Sequence, residues 1–278
     1  GLEVLFGGNL PVGAGLSSSA SICVGTAFAL DKAWRLGLSP LEQVRVALDA
    51  EREFVGVRCG IMDPYAVGLA RPGTLLWLDC LDATYEHLPI DQTAVSVIVA
   101  DTGVRRELAQ GAFNERVDEA RRAFEGLRAH APDATCLRQI PPEVLARHGG
   151  DLEPNVRRRA EHVSGEVQRT LRARRDLLDG DLAAFGAAMT ASHASLRDLY
   201  EVSVPELDCL IDAAKARPGA LGGRLTGAGF GGCAVVLARA EAARDVADGI
   251  AADFRKRFGR TPVVEVFAGD EGPRELHE

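Results

Sequence analysis

The chain has 278 residues, 46% hydrophobic and 26% charged, enough to bury one large core or two moderate ones. A formal charge of −8, with no basic stripe interleaved with aromatics, argues against a nucleic-acid partner, and no apolar run reaches membrane-spanning length. Six scattered cysteines (Cys23, Cys59, Cys80, Cys136, Cys209, Cys233) show no C-x-x-C or disulfide-like spacing, which fits buried thiols in a reducing cytoplasm.

Leu2, Val4 and Phe6 alternate with Glu3 and Leu5, which predicts a strand. A strand cannot stand alone, so its partners are expected upstream and the chain reads as the later part of a longer protein. The stretch PVGAGLSSSA follows, Pro11 to Ala20. Gly13 and Gly15 allow a tight backbone turn and close approach to a ligand, Ser17, Ser18 and Ser19 add hydroxyls, and Ala14 and Leu16 complete the loop. A helix carrying Ile22, Phe28, Leu30 and Trp34 then runs toward Gly37, so the turn empties into a helix N-terminus suited to phosphate. No G-K-[ST] follows, so a triphosphate here would be held by backbone dipoles, hydroxyls and a metal.

Ser39, Pro40 and Glu42 form a capping box that starts a helix reaching about Gly56. At 100° per residue Leu41, Val44, Leu48 and Val55 share one face, with Glu51 in its middle and Glu53 opposite. A carboxylate on such a face needs an Arg or Lys partner or a metal, and the neighbouring phosphate loop favours Mg²⁺. In CGIMDPYA, Cys59 to Ala66, Asp63 before Pro64 reads as a helix N-cap whose free oxygen could still accept the proton of a substrate hydroxyl.

Leu75–Cys80 and Tyr85–Leu88 read as a hairpin, and Val95–Ala100 as a buried strand. Helices are expected over 105–130, briefly around Val144, and over 155–178, 181–198, 204–217 and 241–258, with strands at 223–226, 233–237 and 263–267. Arg157, Arg158 and Arg159 read as a solvated face, and His162 and His193 as structural histidines without companions at ligand spacing. Between Gly222 and Ala238, Gly227, Gly229, Gly231 and Gly232 exceed what a turn needs, so close backbone approach to a ligand or to the first loop is expected. The mix of elements points to α+β layers.

PVGAGLSSSA, CGIMDPYA and RLTGAGFGGC, in this order, resemble the second motif, the catalytic-aspartate segment and the third motif of the GHMP kinase family and, within it, of the galactokinase group. ADTGVRREL, AEHVSGEVQRT and SHASLRDLYEVSVPELD extend the resemblance over nearly the whole chain. It implies two domains: an N-terminal part like domain 2 of ribosomal protein S5, here truncated, over 1–92, and a ferredoxin-like C-terminal domain over 93–278, with ATP and a sugar in the cleft between them. It further implies that Pro11 to Ala20 wraps the triphosphate, that Ser19 and Glu51 hold Mg²⁺, and that Asp63 acts on the anomeric hydroxyl. Gly60, Asp63, Phe113, Gly227 and Gly229 would line the sugar site. A monomeric cytoplasmic sugar kinase is the expectation, without nucleic-acid or membrane partners.

The pattern departs from the family in three places. Nothing here matches the first motif with its Gly-Glu-His segment, the family's sugar-contacting Tyr aligns with Phe113, and its Gln after the catalytic Asp is Pro64. These departures leave arabinose or an N-acetylated hexosamine as rivals to galactose, and little activity is expected of this chain alone. A sugar and nucleotide sensor without turnover, or an inactive partial gene product, are the readings outside catalysis.

Overall fold

The fold is taken from a computed structural model that describes residues 1–56, 59–105 and 109–276, with only the backbone of Ala109 and Gln110. The chain forms two compact units, Gly1–His87 joined by the tail from Gly269, and Leu88–Ala268.

In the first unit, α1 (Ser18–Trp34) buries Ala20, Val24, Ala27 and Asp31, spaced to form one stripe. These small residues, rather than the larger Ile22 and Trp34, face inward; the last two are 54% and 60% exposed. Val24 and Ala27 thereby meet Ala47 of α2 (Pro40–Asp49). The buried Asp31 carboxylate accepts the Leu38 N–H (2.9 Å) and the Gln43 side-chain amide (3.0 Å), fixing the turn between the two helices. The expected capping box forms: Ser39 N–H donates to Glu42 Oε2 at 2.8 Å while Glu42 N–H donates to Ser39 Oγ at 3.3 Å. Helix α3 (Met62–Gly68) packs on α1 and α2, with Val44, Tyr65 and Leu69 in one cluster. Strands β1 (Thr74–Asp79) and β2 (Thr84–Pro89) form the expected two-stranded sheet. The tail returns here, where Gly272 N–H donates to Ala70 O at 3.1 Å.

The opening residues correct one expectation. Positions 1–11 form no strand, and Leu2, Val4, Leu5 and Phe6 are exposed. Alternation alone cannot make a strand, because the ladder hydrogen bonds need a partner, and none pairs with this segment among the described residues.

The second unit is built on a four-stranded antiparallel sheet in the order β4 (Ala220–Leu225), β5 (Cys233–Arg239), β3 (Val95–Asp101), β6 (Val263–Phe267). Ile98 of β3 stands opposite Val236 and Val266, at the centre of a core completed by Leu207, Leu210 and Ile211 of α8 (Pro205–Lys215) and Ile250 and Phe254 of α9 (Ala243–Phe258). Helix α7 (Leu182–Asp198) packs on β4, α6 (Pro154–Leu178) on α7, and α4 (Ala109–Leu127) on α6. A second cluster, with Ala123, Leu127, Ile140, Val156 and Ala160, closes the space beneath the short α5 (Pro142–His148). Of the helix expected over 105–130, Ala109–Leu127 is helical and Arg105 is not, and residues 106–108 lie outside the described residues.

Arg159 is not on a solvated face. It is 1% exposed, with Nε on Glu119 at 2.6 Å, Nη2 on Glu201 at 2.6 Å and Nη1 on the Leu199 carbonyl. Asn155 and Arg116 also reach Glu119, at 2.6 and 3.1 Å, so the buried carboxylate is fully engaged and held below the usual carboxylate range by those partners against the penalty of burial. The arginine run breaks because 100° per residue sends Arg157 outward, leaves Arg158 half-buried at the edge and turns Arg159 in between α4 and α7. The cysteines also differ from expectation: no disulfide forms among the described residues, but only Cys209 and Cys233 are buried, and Cys80 is exposed. Burial, with the Asp101 charge beside it, pushes the Cys233 thiol up to about 12.

Both histidines are satisfied structurally. His162 Nδ1 lies 2.8 Å from Ser195 Oγ and its ring stacks on Tyr200, while His193 accepts the Leu225 N–H at Nδ1 (3.3 Å) and faces Asp208 through Nε2 (3.1 Å). Burial lowers His162 to about 4. Because its pKa in the unfolded chain is higher, unfolding takes up a proton between pH 6.5 and 4, so its contribution to stability is lost as pH falls through that window and levels off below it. Stability curves at pH 7, 5.5 and 4.5 are expected to show a decline of at most about 1.4 kcal/mol per pH unit from this group, and His162→Gln is expected to flatten it. Among the described residues, no helix is long and apolar enough to cross a membrane.

Candidate active site

The first unit holds the loop and both candidate carboxylates. Residues 11–17 are irregular, with Gly13 at φ 70° and Gly15 at φ 75°, conformations that a side chain would oppose. Ala14 and Ala20 are buried and fasten the loop, whereas Pro11, Gly13, Gly15 and Ser19 are exposed and Leu16, Ser17 and Ser18 half-buried. Ser17 caps α1 in the left-handed region (φ 58°, ψ 42°) and its side chain makes no capping bond. Holding a serine there costs roughly 1–2 kcal/mol, and it leaves the hydroxyl and the first N–H groups of α1 unused by one another. No acidic residue occupies the first turn of α1, so nothing opposes an anion there.

Glu51 is 5% exposed while Glu53 points to solvent, as the sequence spacing predicts. The route differs from the expected helix. Helix α2 ends at Asp49 and continues as a wide π turn, Ala50–Phe54. The wider turn changes the register, so Val55 leaves the buried face and is 63% exposed. The described partner of Glu51 is the Cys59 thiol, which donates to Oε2 at 4.0 Å, and no Arg or Lys pairs with Glu51 among the described residues. Arg52 instead clamps the loop, giving Nε and Nη2 to Cys59 O at 3.1 and 2.9 Å.

Cys23 of α1 lies within electrostatic reach of this carboxylate. Its thiol is pushed up by burial and then by the charge of Glu51 and by Cys59, so the three groups are neighbours. Cys23 lies four residues after Ser19 and therefore beneath it on the same face of α1. Sequence reading assigned the cysteines no chemistry, although the four-residue spacing from Ser19 was available as a signal.

Asp63 is not an N-cap. Ile61 occupies that position, without a side-chain cap bond, and Asp63 is the second residue of α3 with Pro64 third, where a missing N–H still leaves no carbonyl unpaired. The Asp63 carboxylate is half-buried and makes no hydrogen bond or ion pair with the described residues. Gly60, three residues earlier, is exposed with open space where a Cβ would project.

The second unit carries the remaining candidates. Phe113 is 37% exposed on α4. Gly227 (φ 73°) and Gly229 (φ 82°) lie in the loop between β4 and β5. In the described structure this loop approaches its own unit: Phe230 N–H donates to Val202 O at 2.7 Å, Gly232 N–H to Val104 O at 3.0 Å, and a Cβ on Gly229 would overlap Val202 O. Gly229→Ala is therefore expected to lower stability by about 1–3 kcal/mol through strain and overlap, seen as a lower denaturant midpoint with an unchanged slope.

Comparison with known proteins identifies the family. Residues 1–71 match the GHMP kinases N terminal domain and residues 173–256 the GHMP kinases C terminal domain. The galactokinase of Roseiflexus sp. is 39% identical over 272 residues, 98% of this chain and 69% of that protein. The galactokinase of Thermotoga maritima is 34% identical over 275 residues, 99% of this chain and 76% of that protein. Lactococcus lactis galactokinase, solved with galactose, superposes with a TM-score of 0.90 at 31% identity, covering 97% of this chain and 69% of that one. Mevalonate kinase of L. major shares the fold, with a TM-score of 0.63 at 22% identity over 93% of this chain and 67% of that one. By fold and by sequence along nearly its whole length, the chain belongs to the GHMP kinase family, on its galactokinase branch.

Proposed function

We propose that the protein transfers the γ-phosphoryl group of ATP to the anomeric hydroxyl of galactose or a closely related sugar. The observation that carries this reading is a half-buried Asp63 carboxylate, without a partner among the described residues, in the same unit as a glycine–serine loop opening a helix, in a chain so similar to galactokinases. The sugar oxygen forms a bond to the γ-phosphorus, the bond to the bridging oxygen breaks, ADP departs, and the hydroxyl proton passes to or past Asp63. Residues Pro11 to Ala20 would receive the phosphates on backbone N–H groups and hydroxyls. Gly60, Phe113, Gly227 and Gly229 would contact the sugar, with 1–92 as the N-terminal domain and 93–278 as the C-terminal one.

The residues fit a magnesium ion. Glu51 is a buried carboxylate with no Arg or Lys paired to it among the described residues, and Ser19 stands in the first turn of α1 in the same unit. Mg²⁺ takes one or two protein oxygens and completes its shell with phosphate and water. Bound there, it would neutralise charge on the transferring phosphoryl group. Glu51→Gln is expected to raise the magnesium concentration for half-maximal activity by tenfold or more while leaving the KM for sugar within about twofold; an unchanged magnesium dependence would remove Glu51 from the ligand set.

The full gene product, assayed for sugar-dependent ADP release with galactose, arabinose and N-acetylgalactosamine, tests the reaction and the acceptor together. Phe113 cannot supply a hydroxyl, so the ranking of sugars is informative. No release with any of them would overturn the proposal. The presence of Ser19, Glu51 and Asp63 together favours turnover over a sensing role, and a cytoplasmic monomer fits the composition.

A further inference from the structure

Residues 59–61 form no regular structure, yet they lead directly into the helix that carries Asp63. Two neighbouring side chains of the π turn hold the first of them. The Cys59 thiol donates to Glu51, and the Cys59 carbonyl accepts both Nε–H and Nη2–H of Arg52, at 3.1 and 2.9 Å. On the other side, Ile61 packs with Val44, Tyr65 and Leu69, and its carbonyl accepts the Tyr65 N–H at 3.2 Å. Gly60, between these anchors, has open space where a Cβ would project, and its N–H has no partner among the described residues.

A trans peptide unit is planar, so the direction of the Cys59 carbonyl fixes that of the Gly60 N–H, which points the opposite way. Before a glycine such a plane turns easily, because no Cβ resists the rotation. A guanidinium that grips the oxygen with two N–H groups removes that freedom. Arg52 is itself exposed and fills no core space, so this clamp is the contact it contributes to the segment. We infer that Arg52 is a positioning residue for the acceptor sugar: by fixing the Cys59 carbonyl it presents the free Gly60 N–H to a sugar hydroxyl. This role rests on the reading of the chain as a sugar kinase with Gly60 and Asp63 at the acceptor.

Steady-state kinetics of the full gene product, with the preferred sugar and ATP varied in turn, test the role. Arg52→Met keeps the stem and removes the clamp. It is expected to raise the KM for sugar roughly fivefold or more while the KM for ATP stays within about twofold. Its melting temperature is expected to stay close to that of the parent, because Arg52 is exposed. Arg52→Lys, which returns one donor to the carbonyl, is expected to recover part of the loss. Removing a surface charge as such acts on the anionic nucleotide rather than on a neutral sugar, so a KM for ATP that rises as much as that for sugar would overturn the inference. A KM for sugar unchanged in Arg52→Met would also overturn it, as would an Arg52→Lys variant no better than Arg52→Met, or a melting temperature that falls along with activity. Absence of ADP release from the unsubstituted protein with every sugar would remove the kinase reading and this role together, whereas an active parent with any of the contrary results above removes the role of Arg52 alone.

Discussion

Asp63→Asn is expected to lower kcat by roughly 10²- to 10⁴-fold while nucleotide affinity and melting temperature stay close to those of the parent. The expectation follows from what Asp63 does not do. It caps no helix, pairs with no cation and accepts no hydrogen bond among the described residues, so the folded state has little to lose when the charge is removed. Asparagine keeps the shape, tolerates the first turn of α3 and cannot take a proton. Steady-state kinetics of ADP release, with nucleotide binding measured separately, check the two halves of the statement. If Asp63→Asn kept most of the turnover, the carboxylate would be an ordinary first-turn acid favoured by the helix dipole. If it lost stability along with activity, the residue would be structural.

The second large effect concerns stability rather than chemistry. Arg159→Met is expected to destabilise the protein by about 3–5 kcal/mol, because it strands Glu119, whose side chain is 4% exposed, and frees the Leu199 carbonyl. Glu119 retains Asn155 and Arg116, which keeps the loss toward the lower end of that range. Arg159 ties α4, α6 and the end of α7 together, so its loss should loosen all three. A double substitution, Arg159→Met with Glu119→Leu, is expected to recover much of the loss by removing both buried charges, and denaturant unfolding of the single and double variants measures the coupling. A change under about 1 kcal/mol in the single variant would contradict the network described above.

Much of the molecule could be read from residue order because local signals and tertiary packing agree over most of it. The capping box at Ser39, the strands around Ile98, and the long helix from Pro154 are elements whose periodicity and boundaries point the same way. Failures occurred where a neighbour decides. Leu2 to Phe6 alternate like a strand, yet no ladder partner stands beside them among the described residues. Arg159 looks in sequence like Arg157 and Arg158 before it, and only the position of Glu119 forty residues earlier turns it fully inward. In the candidate site, Glu51 could be found by helical spacing, and Asp63 by its place beside a proline and by resemblance. The Cys23–Glu51–Cys59 grouping and the freedom of the Asp63 carboxylate required the packed structure, because they depend on what α1, α2 and the loop after Glu53 bring near one another.

The widened turn at Ala50–Phe54 makes the position of the buried Glu51 a matter of arithmetic as much as chemistry. A π turn amounts to one surplus residue in an otherwise regular helix. Deleting one residue there would restore the ordinary pitch and swing whatever follows by about 100°, without changing any side chain's identity. Among relatives of this chain, the spacing between the capping serine and the glycine of the following loop is therefore as informative as the residues themselves. An alignment gap placed casually in this stretch would conceal a change that moves the loop reaching back to Glu51.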